Sequence, residues 1–192
     1  MTTLTDLMFA PSPDEITAAL QKQWVTYKLA VTPESLSQSE EPAVKLLENR
    51  SVISGAGTTG LRTWEAALHL GSYLISSPEA SSLVTGKRVI ELGAGTGLLS
   101  FMCAGTLGAK QVISTDGDEG VVEALKENAT YNNLKAETTF RQLWWGRALK
   151  GGWVEREFAP HACDLVLGAD VVSSPSTCVH VLNTQPSDKL DI

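Results

Sequence analysis

At 192 residues the chain is long enough for one domain with a sizeable core and a small extension. Its 43% apolar and 19% charged residues suit a soluble globular protein, and a net charge of −7 argues against a general grip on nucleic acid, which needs a basic face. No signal peptide or membrane-length apolar run is visible. Cys103, Cys163 and Cys178 show neither Cys-x-x-Cys spacing nor a paired framework, so core thiols in a cytoplasmic setting, with no metal site and no membrane, are expected.

Residues 1–50 read as a helical accessory region. Ser12-Pro13-Asp14-Glu15 has the S-x-x-E capping pattern, and Ile16, Leu20, Trp24 and Tyr27 follow near helical spacing. Thr32 to Glu41 is a polar linker, and Ala43 to Asn49 is expected to form a second short helix. The glycines and threonines from Ser54 to Gly60 mark a loop. Beyond it, Thr63 is the expected cap of a helix whose face is Trp64, Ala67, Leu68, Gly71 and Ile75. On that face Trp64 suits either a core position or a ligand wall.

Val89 to Leu92 has the apolar run of a buried parallel strand, followed by glycines at Gly93, Gly95 and Gly97 and then by apolar residues at helical spacing. Strand, glycine turn and helix together form the nucleotide-binding corner of an open α/β sheet. A dinucleotide fingerprint needs glycine or alanine at the sixth position of G-x-G-x-x-G, where this chain has Leu98, and no Gly-Lys-Ser/Thr follows as a phosphate loop requires. A nicotinamide dehydrogenase is therefore disfavoured. Further along, Gln111 to Thr115 reads as a second strand ending at Asp116. Asp116 lies 23 residues beyond Gly93, close to the spacing at which an acidic residue meets a nucleoside ribose. Asp118-Glu119 starts the next helix, with Val122, Leu125 and Ala129 as its buried stripe. Thr138 to Leu143 is a third strand running into Trp144-Trp145-Gly146, and Cys163 to Val172 is a fourth strand and its tip.

Glu91-Leu92-Gly93-Ala94-Gly95-Thr96-Gly97 resembles the first motif of the class I methyltransferases that bind S-adenosyl-L-methionine. Gly57-Thr58-Thr59-Gly60-Leu61-Arg62-Thr63-Trp64-Glu65-Ala66-Ala67-Leu68 looks like the cofactor-covering segment of the seven-strand protein-lysine methyltransferases, specifically the family that methylates translation elongation factor 2. The Trp144-Trp145-Gly146 element and Ala169-Asp170-Val171-Val172 are similar to the same group, over about residues 51 to 172. The resemblance implies a cofactor site built from Trp64, Glu91, Gly93, Ala94, Gly95, Gly97, Asp116, Trp145 and Ala169. It puts Trp145 beside the adenine, Glu91 near the methionine end, and Asp170 at the substrate lysine. The implied partner is a protein, elongation factor 2, with no direct nucleic-acid contact.

The expected fold is α/β, a Rossmann-like methyltransferase sheet in the order 3-2-1-4, with a helical N-terminal extension. The expected divisions are residues 1–50, a partial methyltransferase domain at 51–175, and a short atypical tail at 176–192. The resembling family adds three more strands and carries an aromatic residue where this chain has Ser173. A truncated chain with weak or no lysine methylation is therefore expected. The alternative is a non-catalytic form that binds cofactor or partner.

Overall fold

A computed structural model describes residues 22–29, 42–49, 59–144 and 162–171. Its centre is a four-stranded parallel sheet of β3 (Arg88–Leu92), β4 (Gln111–Asp116), β5 (Glu137–Gln142) and β6 (Leu165–Gly168), in the order β5-β4-β3-β6. This is the expected third-second-first-fourth order. β3 is buried along four of its five residues because both of its faces are covered. On one face Val89, Val112 and Leu167 join a large cluster with Leu98, Leu99, Phe101 and Leu125. On the other, Ile90, Leu92, Ile113 and Leu143 pack together. Full burial of such side chains stabilises the fold by roughly 1.5–3 kcal/mol each.

Four helices are described: α1 (Glu65–Ile75), α2 (Pro78–Ser82), α3 (Leu98–Gly105) and α4 (Glu119–Ala129). α3 links β3 to β4, and α4 links β4 to β5, as parallel neighbours require. α1 crosses α3 closely at Gly71, where a β-carbon would lie 2.8 Å from Met102 Sδ. α4 is capped by Asp118, whose Oδ1 accepts from Val121 N at 3.0 Å. Its buried stripe is Val121, Val122, Leu125 and Asn128.

The N-terminal region differs from the helical expectation. Gln23–Lys28 and Ala43–Glu48 are strands, β1 and β2, paired antiparallel with Trp24 opposite Leu47 and Tyr27 opposite Val44. The three-residue interval between Trp24 and Tyr27 imitates a helical face, yet Trp24, Val25, Thr26 and Tyr27 are all strand-favouring residues. In β2, Val44, Leu46 and Glu48 alternate inward, a period of two. The expected helix start at Ser12 to Leu20, the linker at 32–41 and the tail at 176–192 lie outside the described residues.

Asn128 of α4 and Asn132, three residues past its end, dock this hairpin. Asn132 Oδ1 accepts from Lys45 N at 2.9 Å and its Nδ2 donates to Lys45 O at 2.8 Å. Asn128 does the same at Leu47, with Oδ1 accepting from the N–H at 2.8 Å and Nδ2 donating to the carbonyl at 3.4 Å. The two amides thus meet alternate residues, Leu47 and Lys45, along the outer edge of β2. Trp24 meets Tyr131 edge-on at 4.4 Å, with Lys45 Nζ 4.8 Å from the Trp24 ring centre.

Candidate cofactor and substrate site

The glycine turn follows β3 directly. Gly93, Gly95 and Gly97 all have positive φ, at 64°, 56° and 97°. The turn is pinned by Ala94 N donating to Thr115 O at 2.8 Å and Gly97 N donating to Ala94 O at 2.9 Å. Gly95 needs to lack a side chain for a second reason: a β-carbon there would sit 3.3 Å from the carbonyl oxygen of Gly60. The 59–63 segment thus lies directly on the turn. Ala94 and Gly97 are buried, whereas Gly93 and Gly95 keep partial exposure.

Asp116, the last residue of β4, reaches back to this turn. Its Oδ2 accepts from Gly95 N at 3.1 Å and its Oδ1 accepts from Asp118 N at 3.1 Å. Burial raises its pKa above the ordinary value, partly offset by these backbone N–H groups, and the Asp118 charge raises it further. A carboxylate offers about four acceptor positions, so Asp116 retains capacity for further hydroxyl donors.

Glu91 sits one layer deeper, with 2% exposure. Its carboxyl accepts a hydrogen bond from Ser100 on α3, and its main-chain carbonyl accepts from Thr115 Oγ1 at 2.7 Å. Burial pushes its pKa up to about 7; the Ser100 hydrogen bonds oppose this, and the Asp116 charge adds to it. Its described partners are therefore protein groups below the glycine turn. Cys103, also buried, has its thiol pKa pushed up by burial and by the Glu91 charge, which keeps the group neutral.

Trp64 is half-buried at the start of α1, and its Nε1 donates to Thr59 O at 3.0 Å. The Arg62 guanidinium carbon lies 5.1 Å from the Trp64 ring centre. The helix cap is Trp64 rather than Thr63, a correction with a clear cause. The Thr63 hydroxyl is engaged elsewhere, 2.6 Å from the Thr96 hydroxyl of the glycine turn. Through that contact Trp64 is carried to the turn's rim.

The tip of β6 closes on the same corner. A β-carbon on Gly93 would lie 2.8 Å from Val171 Cγ1. Between them Ala169 packs on the main core, while Asp170 is exposed with φ of 56°, an uncommon conformation that aspartate tolerates better than most residues. At the end of β5, Leu143 N donates to Asp116 O at 2.8 Å. Trp144 is exposed and lies against Gly117. Trp145 and Ser173 are outside the described residues.

The described residues Trp64, Gly93, Ala94, Gly95, Gly97, Asp116, Ala169 and Asp170 thus converge where β3, β4 and β6 end. An open α/β sheet takes ligands beyond the carboxyl ends of its strands, and this is such a crevice. Residues 43–185 match the lysine methyltransferase family. The chain belongs to that family. It is 44% identical over 186 residues to the protein-lysine N-methyltransferase EFM3 of Chaetomium thermophilum, covering 96% of this chain and 54% of the relative. The Saccharomyces cerevisiae EFM3 is 36% identical over 152 residues, 71% of this chain and 42% of the relative. The Homo sapiens protein-lysine N-methyltransferase EEF2KMT is 30% identical over 151 residues, 73% of this chain and 43% of the relative. The chain therefore spans about half the length of these curated relatives. The Rossmann-like α/β sheet of this family member carries the glycine turn directly after β3, where the sequence motif places it.

The sequence reading missed several members of this assembly. Glu48, with 1% exposure, accepts from Tyr27 Oη at 2.7 Å and from Thr63 N at 2.7 Å. Asn128 Nδ2 also donates to Thr96 O at 3.1 Å. Their one local signal is a polar residue at an otherwise apolar position, Glu48 after Val44 and Leu46, and Asn128 beside Leu125.

Proposed function

We propose that this chain binds S-adenosyl-L-methionine in the crevice and transfers its methyl group to a lysine of a protein, with translation elongation factor 2 as substrate. The observation that carries the reading is Asp116. It holds the glycine turn through Gly95 and retains acceptor capacity beside it, which suits the two ribose hydroxyls of an adenosyl group. The pattern of Gly93, Gly95 and Gly97 ahead of Leu98 fits a ligand without a pyrophosphate better than a dinucleotide.

When bound, the cofactor supplies an electrophilic methyl group on a sulfonium. The protein must deliver a neutral lysine amine to it, although a lysine ammonium ordinarily loses its proton near pH 10.4. Desolvation under Trp64 lowers that value, and the exposed carboxylate of Asp170 orients the amine. A negative charge at Asp170 would itself favour the ammonium form, so positioning is its role. In this reading Trp145 stacks on the adenine, Ala169 and Ala94 line the cofactor, and Glu91 organises the methionine end from below through Ser100. A translation factor as substrate sets the reaction in the cytosol. Among the described residues no helix is long and apolar enough to cross a membrane.

Calorimetry on the purified chain should show binding of S-adenosyl-L-methionine and none of NAD. Asp116→Ala should weaken the former about 5- to 150-fold, the effect of losing about 1–3 kcal/mol of hydrogen bonding. Binding of NAD alone would overturn the proposal. Trp64 should report the ligand by fluorescence, and Trp145→Ala should lose more affinity than Trp144→Ala. Equal losses from the two alanine variants would remove Trp145 from the site. Elongation factor 2 is tested by incubation with labelled cofactor and mapping of the labelled lysine.

A further inference from the structure

We infer that the N-terminal hairpin is the positioning device of the cofactor crevice, and that Glu48 and Asn128 are its two positioning residues. This rests on the cofactor reading above and specifies what holds that site in shape. The partly exposed residues of the glycine turn, Gly93 and Gly95, have no side chain, so its ligand-binding geometry depends on what stands behind it.

Two side chains behind it connect to the hairpin. Asn128 is buried, and its amide is fully engaged: Oδ1 takes the Leu47 N–H, while the two Nδ2 hydrogens go to Leu47 O and to Thr96 O of the turn. One side chain thereby ties β2 and the turn together on α4. Glu48, the next residue along β2, holds the opposite rim. It accepts from Thr63 N, and the Thr63 hydroxyl bonds the Thr96 hydroxyl. Beside it, Asn49 N donates to Leu61 O at 2.8 Å. The end of β2 thus grips the 61–63 segment, whose neighbour Gly60 lies on Gly95 and whose successor is Trp64. The carbonyl of Thr96 is tied through Asn128, and its hydroxyl through Thr63, to two consecutive residues of one strand, Leu47 and Glu48.

A buried carboxyl at Glu48 is a costly way to stabilise a hairpin, since an apolar residue would continue the Val44 and Leu46 alternation. Its placement is accounted for by the two donors it joins, Tyr27 Oη and Thr63 N. Glutamine can bond both groups, accepting from Thr63 N through its oxygen and donating from its amide to the tyrosine oxygen, a bond that runs in the reverse direction. Alanine can satisfy neither. At position 128, aspartate keeps the acceptor for Leu47 N but has no donor for Thr96 O.

The test uses the full chain and S-adenosylhomocysteine as probe, well below the melting temperature of every variant. Glu48→Ala and Asn128→Asp should each weaken binding at least tenfold, and Glu48→Gln should stay within about threefold of the parent. Val44→Ala is the control. It opens a cavity under the same hairpin and removes none of the hydrogen bonds to Thr63 or Thr96, so it should lower the melting temperature and leave affinity unchanged. Amide exchange in the ligand-free chain gives an independent readout: residues 93–97 should exchange faster in Glu48→Ala and Asn128→Asp than in Val44→Ala. Parental affinity and exchange in the first two variants, or equal losses in Val44→Ala, would overturn the inference. If the parent chain fails to bind the probe, the cofactor reading falls, and the exchange comparison still decides whether the hairpin positions the turn.

Discussion

Replacing Gly97 with alanine is expected to destabilise the protein by about 4 kcal/mol, the sum of two separable causes. Gly97 begins α3 with φ of 97°, where an L-residue is strained by about 1–3 kcal/mol. An added β-carbon would also lie 2.7 Å from Phe101 Cζ and 2.8 Å from Leu125 Cδ2. Both side chains are buried, and overpacking of this kind costs about 1–3 kcal/mol more. For a chain of this size the melting temperature should fall by about 8–16 °C. Gly86→Ala separates the causes, because Gly86 also has positive φ, 72°, but no atom lies within 4 Å of a β-carbon there. If urea unfolding shows equal losses for the two variants, the packing part of this account is wrong.

Stability should fall as the pH rises from about 4.5 to about 7, and Glu91 should be the main source. Its pKa is raised in the folded state from 4.5 to about 7, so in that window the folded protein binds more protons than the unfolded chain. The sign follows: folding is favoured at the acid end and weakened as Glu91 ionises in its buried site. Above pH 7 the effect levels off, at about 3 kcal/mol by the conversion of 1.36 kcal/mol per pK unit. Asp116, also shifted upward by burial, contributes with the same sign. Asp164 is shifted downward, chiefly by the Arg88 backbone N–H, and its stabilisation is lost only as the pH drops through the acid range below this window. Glu91→Gln keeps an uncharged group beside Ser100 and should flatten most of the slope. The measurement is urea unfolding of parent and variant from pH 5 to pH 8. Parallel curves would show that Glu91 stays ionised throughout, and a neutral buried carboxyl would be ruled out.

Local patterns explain why so much of the parallel sheet was legible. Val89 to Leu92 and Gln111 to Asp116 are short runs with turn chemistry at their ends, and Asp118 is an aspartate placed where its carboxylate can cap a helix. The glycine turn announces itself because positive φ and close approach exclude other residues. Asp116 was readable from its distance in sequence, since strand, turn, helix and strand require a nearly constant number of residues.

The hairpin was misread because its evidence is not local. Trp24 and Tyr27 fit a helical interval as well as a strand, and only pairing with β2 chooses between them. That pairing joins residues separated by a polar stretch, and its outer edge is completed by Asn128 of α4 and Asn132 just past it, some 80 positions further on. Thr63 likewise has the chemistry of a cap, but its hydroxyl goes to Thr96 once the two segments meet. The sequence alone determined the glycine turn and the acidic residue that holds it, because both lie within one strand–turn–helix–strand unit, and the sheet order followed from the family its motifs resemble. Tertiary structure alone decided the hairpin, the cap at Trp64 and the joining of Glu48 and Asn128 to the turn. Each of those is a competition for a hydrogen-bonding group between near and distant partners, and only the packed core brings the distant partner within reach.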